Sequence, residues 1–186
     1  IKYDNYYNLI KGEAIGLRAF NHFQLLKLFG PSIPSEGLNA IAIPYKNQLS
    51  YNAVKFSTAG EVIDLINKDL AEAKGLLEKD PIRTNNRAAN MNQHAYEKYN
   101  SLIDYRGIRL NYYAVVALQA MVAQWKGDLE IAAKYSEELI SELNQTNSIK
   151  LTFPSELSQG SNIRMPDENI FALFTNKLPV YTKLVL

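Results

Sequence analysis

The sequence predicts an all-α fold: stacked helix pairs that carry long irregular loops and a short, less regular C-terminal segment. Three observations predict it. Long stretches repeat apolar residues at steps of three and four, the period of one helical face. Glycine, proline and asparagine gather between those stretches. Two of the stretches meet at a tight Gly127-Asp128 turn, which makes them a hairpin. A helix pair cannot bury its apolar face alone, so pairs must stack to build a core.

Length and composition agree with this reading and exclude several classes. The 186 residues suffice for one domain, and 47% hydrophobic content is the globular average. A net charge of +1 without any basic run argues against a nucleic-acid partner, which needs clustered Lys and Arg. The absence of cysteine excludes disulfides and thiolate metal sites. No apolar run approaches the roughly 18 residues of a membrane helix. The chain opens on Ile1 rather than methionine, so it is read as either processed or a fragment, with room for a signal peptide or lipid anchor upstream.

Taken in order, Ile1 to Phe29 reads as a first long helix. Leu9, Ile10, Ala14, Leu17, Phe20, Leu25 and Leu28 are apolar, but so are Ile15, Ala19, Phe23 and Leu26. A helix apolar on most sides is expected to lie buried between layers. Gly30-Pro31 ends it. Ser32 to Phe56 is a loop punctuated by Pro34, Gly37, Pro44, Asn47 and Asn52, with Ile41 to Tyr45 as a short extended piece. Thr58-x-x-Glu61 is a capping box that opens the second helix. Val62, Ile66, Leu70, Ala73 and Leu77 are its buried stripe, and Asp64, Lys68 and Glu72 its exposed side. It should stop near Glu78, before Pro81.

Asp80 to Ile108 is a second long connection, with a short helix expected from Asn92 to Asp104. The hairpin follows, from Arg109 to about Leu143. Its first arm repeats small residues at Ala114, Ala117, Ala120 and Ala123, which let another helix approach closely. Its second arm carries the stripe Ala132, Tyr135, Leu139 and Leu143, with Asp128 as N-cap. This is a hairpin of the tetratricopeptide kind. Leu151 to Pro154 and Asn169 to Phe174 read as extended or buried pieces around a polar loop.

The motifs, in order, resemble a known family. Gly12-Glu13-Ala14, Arg18-Ala19-Phe20, His22-Phe23, Leu25-Leu26 and Leu28-Phe29-Gly30 are similar to the first helix of the SusD/RagB group. Ile43-Pro44-Tyr45, the Ser57 to Ala73 helix, Arg109-x-Asn111-Tyr112-Tyr113-Ala114 with Gly127-Asp128, and Glu168 to Leu173 continue the match. The resemblance implies a right-handed stack of tetratricopeptide-like pairs. It implies an outward-facing, lipid-anchored outer-membrane protein of Bacteroidetes that captures glycans or other nutrients. It implies a partner, a SusC-like TonB-dependent transporter, and no catalysis. Against that pattern, residues 1–186 read as a single SusD-like α-helical domain. It is expected to be a fragment lacking the N-terminal anchor and the C-terminal half.

The chemistry of the residues is consistent with binding rather than catalysis. His22 and His94 are the only histidines, and no metal-ligand spacing or nucleophile motif includes either. No metal and no cofactor is expected. Glu13 and Arg18 are five residues apart, so they fall on different faces, and each is expected to cap a helix or pair between helices rather than do acid–base work. Glycan recognition needs aromatic faces beside amides and guanidinium groups. The loops supply these in Tyr45, Asn47, Tyr51, Arg83 and Asn86, which are the candidate ligand contacts. The helix pairs alone would also suit a tetratricopeptide-type adaptor that holds a partner protein.

Overall fold

The computed structural model describes residues 2–83, 106–146, 154–155 and 168–172, with side chains from residue 6 onward. The expected helix of residues 92–104, His94 and the Leu151 piece lie outside the described residues.

Helix α1 runs Lys2–Phe29, α2 is the single turn Ile33–Glu36, and α3 runs Ala59–Leu76. Helices α4 (Tyr112–Lys126) and α5 (Leu129–Thr146) form the hairpin. The described residues are predominantly helical, so the all-α expectation holds. Helix α1 packs along α3, α3 packs on α4, and α4 packs on α5, which gives two stacked pairs. The described helices include none long and apolar enough to cross a membrane.

The Ser32 to Phe56 loop is less irregular than its prolines suggest. Strands β1 (Ile41–Pro44) and β2 (Phe56–Thr58) pair antiparallel, with Pro44 opposite Phe56 and Ile41 opposite Thr58. Proline sits at the end of β1, where its missing N–H costs little.

The expectation for α3 is met closely. Thr58 Oγ1 accepts from Glu61 N, and the Glu61 carboxylate accepts from Thr58 N, so the capping box is complete. Val62, Ile66, Leu70, Ala73 and Leu77 are all fully buried. Asp64, Lys68 and Glu72 are exposed, and Glu72 pairs across to Lys11 of α1 at 3.0 Å.

Helix α1 departs from expectation. It is not covered all round: Leu9, Ile15, Ala19, Phe23 and Leu26 are buried, whereas Ile10, Ala14, Leu25 and Leu28 are exposed. The described layers cover one side of α1 only, and apolar residues spread around the helix could not show which. Close approach explains Gly16, because a Cβ there would stand 2.4 Å from Leu110 Cδ2.

The hairpin starts three residues later than expected, because Asn111 and not Arg109 caps α4, its Oδ1 accepting from Ala114 N. Gly127 ends α4 at φ 97°, a left-handed conformation that favours glycine. Asp128 precedes α5, its carbonyl accepting from Ala132 N while its carboxylate pairs with Lys126. Ala114 and Ala123 are buried, but Ala117 and Ala120 line a shallow groove of about 500 Å³ with Leu129, Ala132 and Ser136 of α5. The strip from residue 168 to 172 docks on the α4 start: Ala172 N donates to Ile108 O, and Asn111 Nδ2 donates to Ile170 O.

Candidate functional site

The best-formed polar feature that reaches the surface is the loop between β1 and β2, and helix α1 builds it. Arg18 grips Asp69 of α3 with two bonds of 2.6 Å, Nε to Oδ2 and Nη2 to Oδ1. This two-pronged geometry is what a guanidinium offers a carboxylate. The bond to Asp69 raises the Arg18 pKa, against the opposing effect of burial. Tyr45 donates its OH to the same Asp69 oxygen at 2.5 Å. Burial, and then the bond to Asp69, push the Tyr45 phenol well above its ordinary value.

His22, one turn after Arg18, completes the support. Its ring stacks on Tyr45 at 3.9 Å between centroids. Nδ1–H donates to the Arg18 carbonyl at 2.8 Å, and Nε2 accepts from Lys46 N at 3.0 Å. One tautomer satisfies both bonds. Arg18 Nη1 also donates to the Asn47 carbonyl at 3.1 Å. His22 is thus a hydrogen-bonding and packing residue.

Beyond this base the loop turns outward. Lys46 Nζ donates to Ser50 O, Ser50 Oγ and Asn52 O. Leu49 and Tyr51 project with their side chains fully exposed, and Asn47 and Asn52 are exposed beside them.

The candidate contacts therefore divide. Tyr45 is a correction: it is buried, its hydroxyl is committed to Asp69 and its ring face to His22, so it supports the loop rather than meeting solvent. Asn47 and Tyr51 stand together on the exposed loop. Arg83 belongs to a different neighbourhood. It donates to Glu78 O at 2.9 Å and to Glu142 of α5 at 3.2 Å, and lies 4.1 Å over the Tyr112 ring. Lys74 pairs with Glu138 beside the same ring. Asn86 lies outside the described residues.

A second polar group is sealed in the core. Arg106 is wholly buried and donates to Glu13 through Nη1 and to Asp80 through Nε and Nη2. Arg109 donates to both Glu13 oxygens, at 2.9 and 2.6 Å. Asp80 also accepts from Ile82 N at 3.1 Å and from Tyr112 N, the first residue of α4, at 3.2 Å. Burial works against the charge on Arg106, but bonding and attraction from Asp80 and Glu13 outweigh it and raise its pKa. Among the described residues, two guanidiniums face two carboxylates in this group. Glu13 and Arg18 thus both pair between elements, as expected of them. The described residues contain no group of three metal-ligating side chains.

Sequence reasoning missed Lys46, Asp69, Asp80 and Arg106. Their partners lie up to 93 residues away, and only Lys46 with Ser50 left a local trace.

With this geometry in view, the comparisons identify the class. The chain belongs to a SusD-like family described as starch-binding and associating with the outer membrane, whose profile matches residues 2–96. Two solved structures share its fold. A SusD superfamily protein from Bacteroides vulgatus ATCC 8482 superposes with a TM-score of 0.62 at 23% identity, over 82% of this chain and 30% of that one. A SusD superfamily protein from Bacteroides thetaiotaomicron VPI-5482 gives 0.61 at 21% identity, over 81% and 28%. The chain thus spans about three tenths of the length of these relatives. No curated protein matches it.

Proposed function

We propose that the chain is part of a non-catalytic nutrient-capture protein, lipid-anchored and outward-facing at the outer membrane. It holds a glycan and hands it to a SusC-like TonB-dependent transporter. The observation that carries this reading is the family match over residues 2–96, with its starch-binding and outer-membrane description. The loop supports it chemically. An exposed tyrosine ring suits the apolar face of a sugar, and neighbouring amides suit its hydroxyls. In this reading Tyr51 and Asn47 are the contacts offered by the β1–β2 loop, and Arg83 and Asn86 those of the second connection.

The test is calorimetric titration of the full-length protein with maltooligosaccharides and a wider glycan panel, with affinity purification from membranes of the source cells. Saturable binding and recovery of a TonB-dependent transporter are expected. Absence of binding to every glycan together with absence of the transporter overturns the proposal.

A further inference from the structure

We propose that Lys46 sets the 46–52 loop in a ligand-ready shape, so that the Tyr51 ring is in place before a ligand arrives. This rests on the reading of Tyr51 and Asn47 as ligand contacts. A lysine ammonium has three N–H donors. Nζ of Lys46 stands 2.6 Å from Ser50 O, 3.2 Å from Ser50 Oγ and 3.0 Å from Asn52 O, so each donor has an acceptor. The two carbonyls belong to the residues on either side of Tyr51. One cation therefore fixes the Ser50–Tyr51 peptide and the Asn52–Ala53 peptide, which bracket the tyrosine.

The base of the same loop is fixed from α1. Lys46 N donates to His22 Nε2, and the Asn47 carbonyl accepts from Arg18. Arg18 and His22 are in turn held by Asp69 and Tyr45. The chain of support runs from the buried α1–α3 interface to a fully exposed ring. A loop ordered in advance spends none of its binding free energy on ordering itself. Lysine suits this position because its donors converge on a small ring of acceptors, whereas the planar fork of arginine does not. Lys46 is thus a positioning residue that acts through Tyr51.

The experiment uses the ¹⁵N-labelled full-length protein and a maltooligosaccharide probe. The variants are Lys46→Met, Lys46→Cys and Tyr51→Ala. Residues 1–186 hold no native cysteine, so within them 2-bromoethylamine alkylates Lys46→Cys alone and restores an ammonium at nearly the original reach. Backbone order parameters at Tyr51 and Asn52 are expected to fall from about 0.85 to below about 0.6 in Lys46→Met. They should recover after alkylation of Lys46→Cys. The Kd should rise about fivefold in Lys46→Met, the cost of ordering one short loop, and return on alkylation. In a Tyr51→Ala background Lys46→Met should add nothing. Unchanged order in Lys46→Met overturns the proposal, and so does lost order with an unmoved Kd. If Tyr51→Ala binds the maltooligosaccharide as tightly as the wild type, Tyr51 is not a contact and the presentation role falls. If the wild-type protein binds no glycan, the capture reading itself falls, and the order parameters still decide whether Lys46 holds the loop.

Discussion

Two polar clamps start from the same helix and differ in almost every physical respect. Glu13 reaches Arg106 and Arg109, and Arg106 reaches Asp80, in a group where Arg106 and Asp80 are wholly buried. Arg18 reaches Asp69 with its side chain 29% exposed, and the group continues through Tyr45 and His22 to a solvent-facing loop. The first closes the connection between α3 and α4 at its base, since Asp80 stands at one end of it and Arg106 at the other. The second fixes a loop whose tip is free to meet something. The difference teaches where a polar group serves the fold and where it serves a surface. Buried charges need every partner they have, because unpaired charge in the core is costly. A clamp at the edge can lose a bond to water and keep its shape.

Arg106→Met would break the comparison at its strongest point. It leaves Asp80 and part of Glu13 buried without their cation, and loss of one partner from a buried pair costs about 3–5 kcal/mol. Urea unfolding should show that loss, with the slope unchanged. A cost under about 1 kcal/mol would mean that water reaches the group. Arg18→Met is the parallel change in the edge clamp. Asp69 keeps the Tyr45 hydroxyl and can recruit solvent, so the expected cost is about 1.5–3 kcal/mol, the range for hydrogen bonds to a charged group. The same variant should loosen the loop, since Arg18 also holds the Asn47 carbonyl. Equal costs for the two variants would erase the distinction between the clamps.

The parts of this architecture legible in the sequence are those set by neighbours within a few residues. The Thr58 to Glu61 capping box, the α3 stripe and the Gly127 turn are all local, and all stand as read. Helix α1 resisted because its apolar residues run round it, so periodicity carried no direction and only the packed partner decides which side is buried. The clamps resisted for another reason. Glu13 and Arg18 announced themselves as ionic residues in an apolar helix, but their partners are 51 to 96 residues distant, and one sequence does not say which carboxylate meets which guanidinium. Tyr45 shows the same limit. A tyrosine in a loop reads as exposed, and only the fold puts Asp69 and His22 against it. Tyr51, six residues on, has identical chemistry and the opposite environment.

Tyr45→Phe sharpens the comparison from the edge side. It removes one hydrogen bond and leaves Asp69 its two bonds from Arg18, so a cost near 1 kcal/mol is expected at neutral pH. The sign of its pH dependence follows from the raised pKa. In the unfolded chain the phenol loses its proton near pH 10, whereas in the fold burial and Asp69 keep the proton on. Above about pH 10 the unfolded state then holds fewer protons than the native one, and stability falls as pH rises. The wild type should lose stability more steeply than Tyr45→Phe between about pH 10 and 11.5, in paired urea melts. Parallel curves would mean that Tyr45 titrates normally and is not sealed.

The smallest effect is expected from the ion pair that belongs to neither clamp. Lys11 meets Glu72 across the same α1–α3 interface at 3.0 Å, a distance comparable to those within the clamps. Both side chains are more than two fifths exposed, so water competes for each of them and salt screens what attraction remains. Lys11→Met and Glu72→Gln should each leave the Tm where it is, in low salt and in 0.5 M salt alike. A clear drop in either, absent at high salt, would show that this outer rung shares the load of joining α1 to α3, which the geometry assigns to Arg18. Three pairs that look alike by distance are thereby ranked by burial alone, and the ranking runs inward from Lys11 through Arg18 to Arg106.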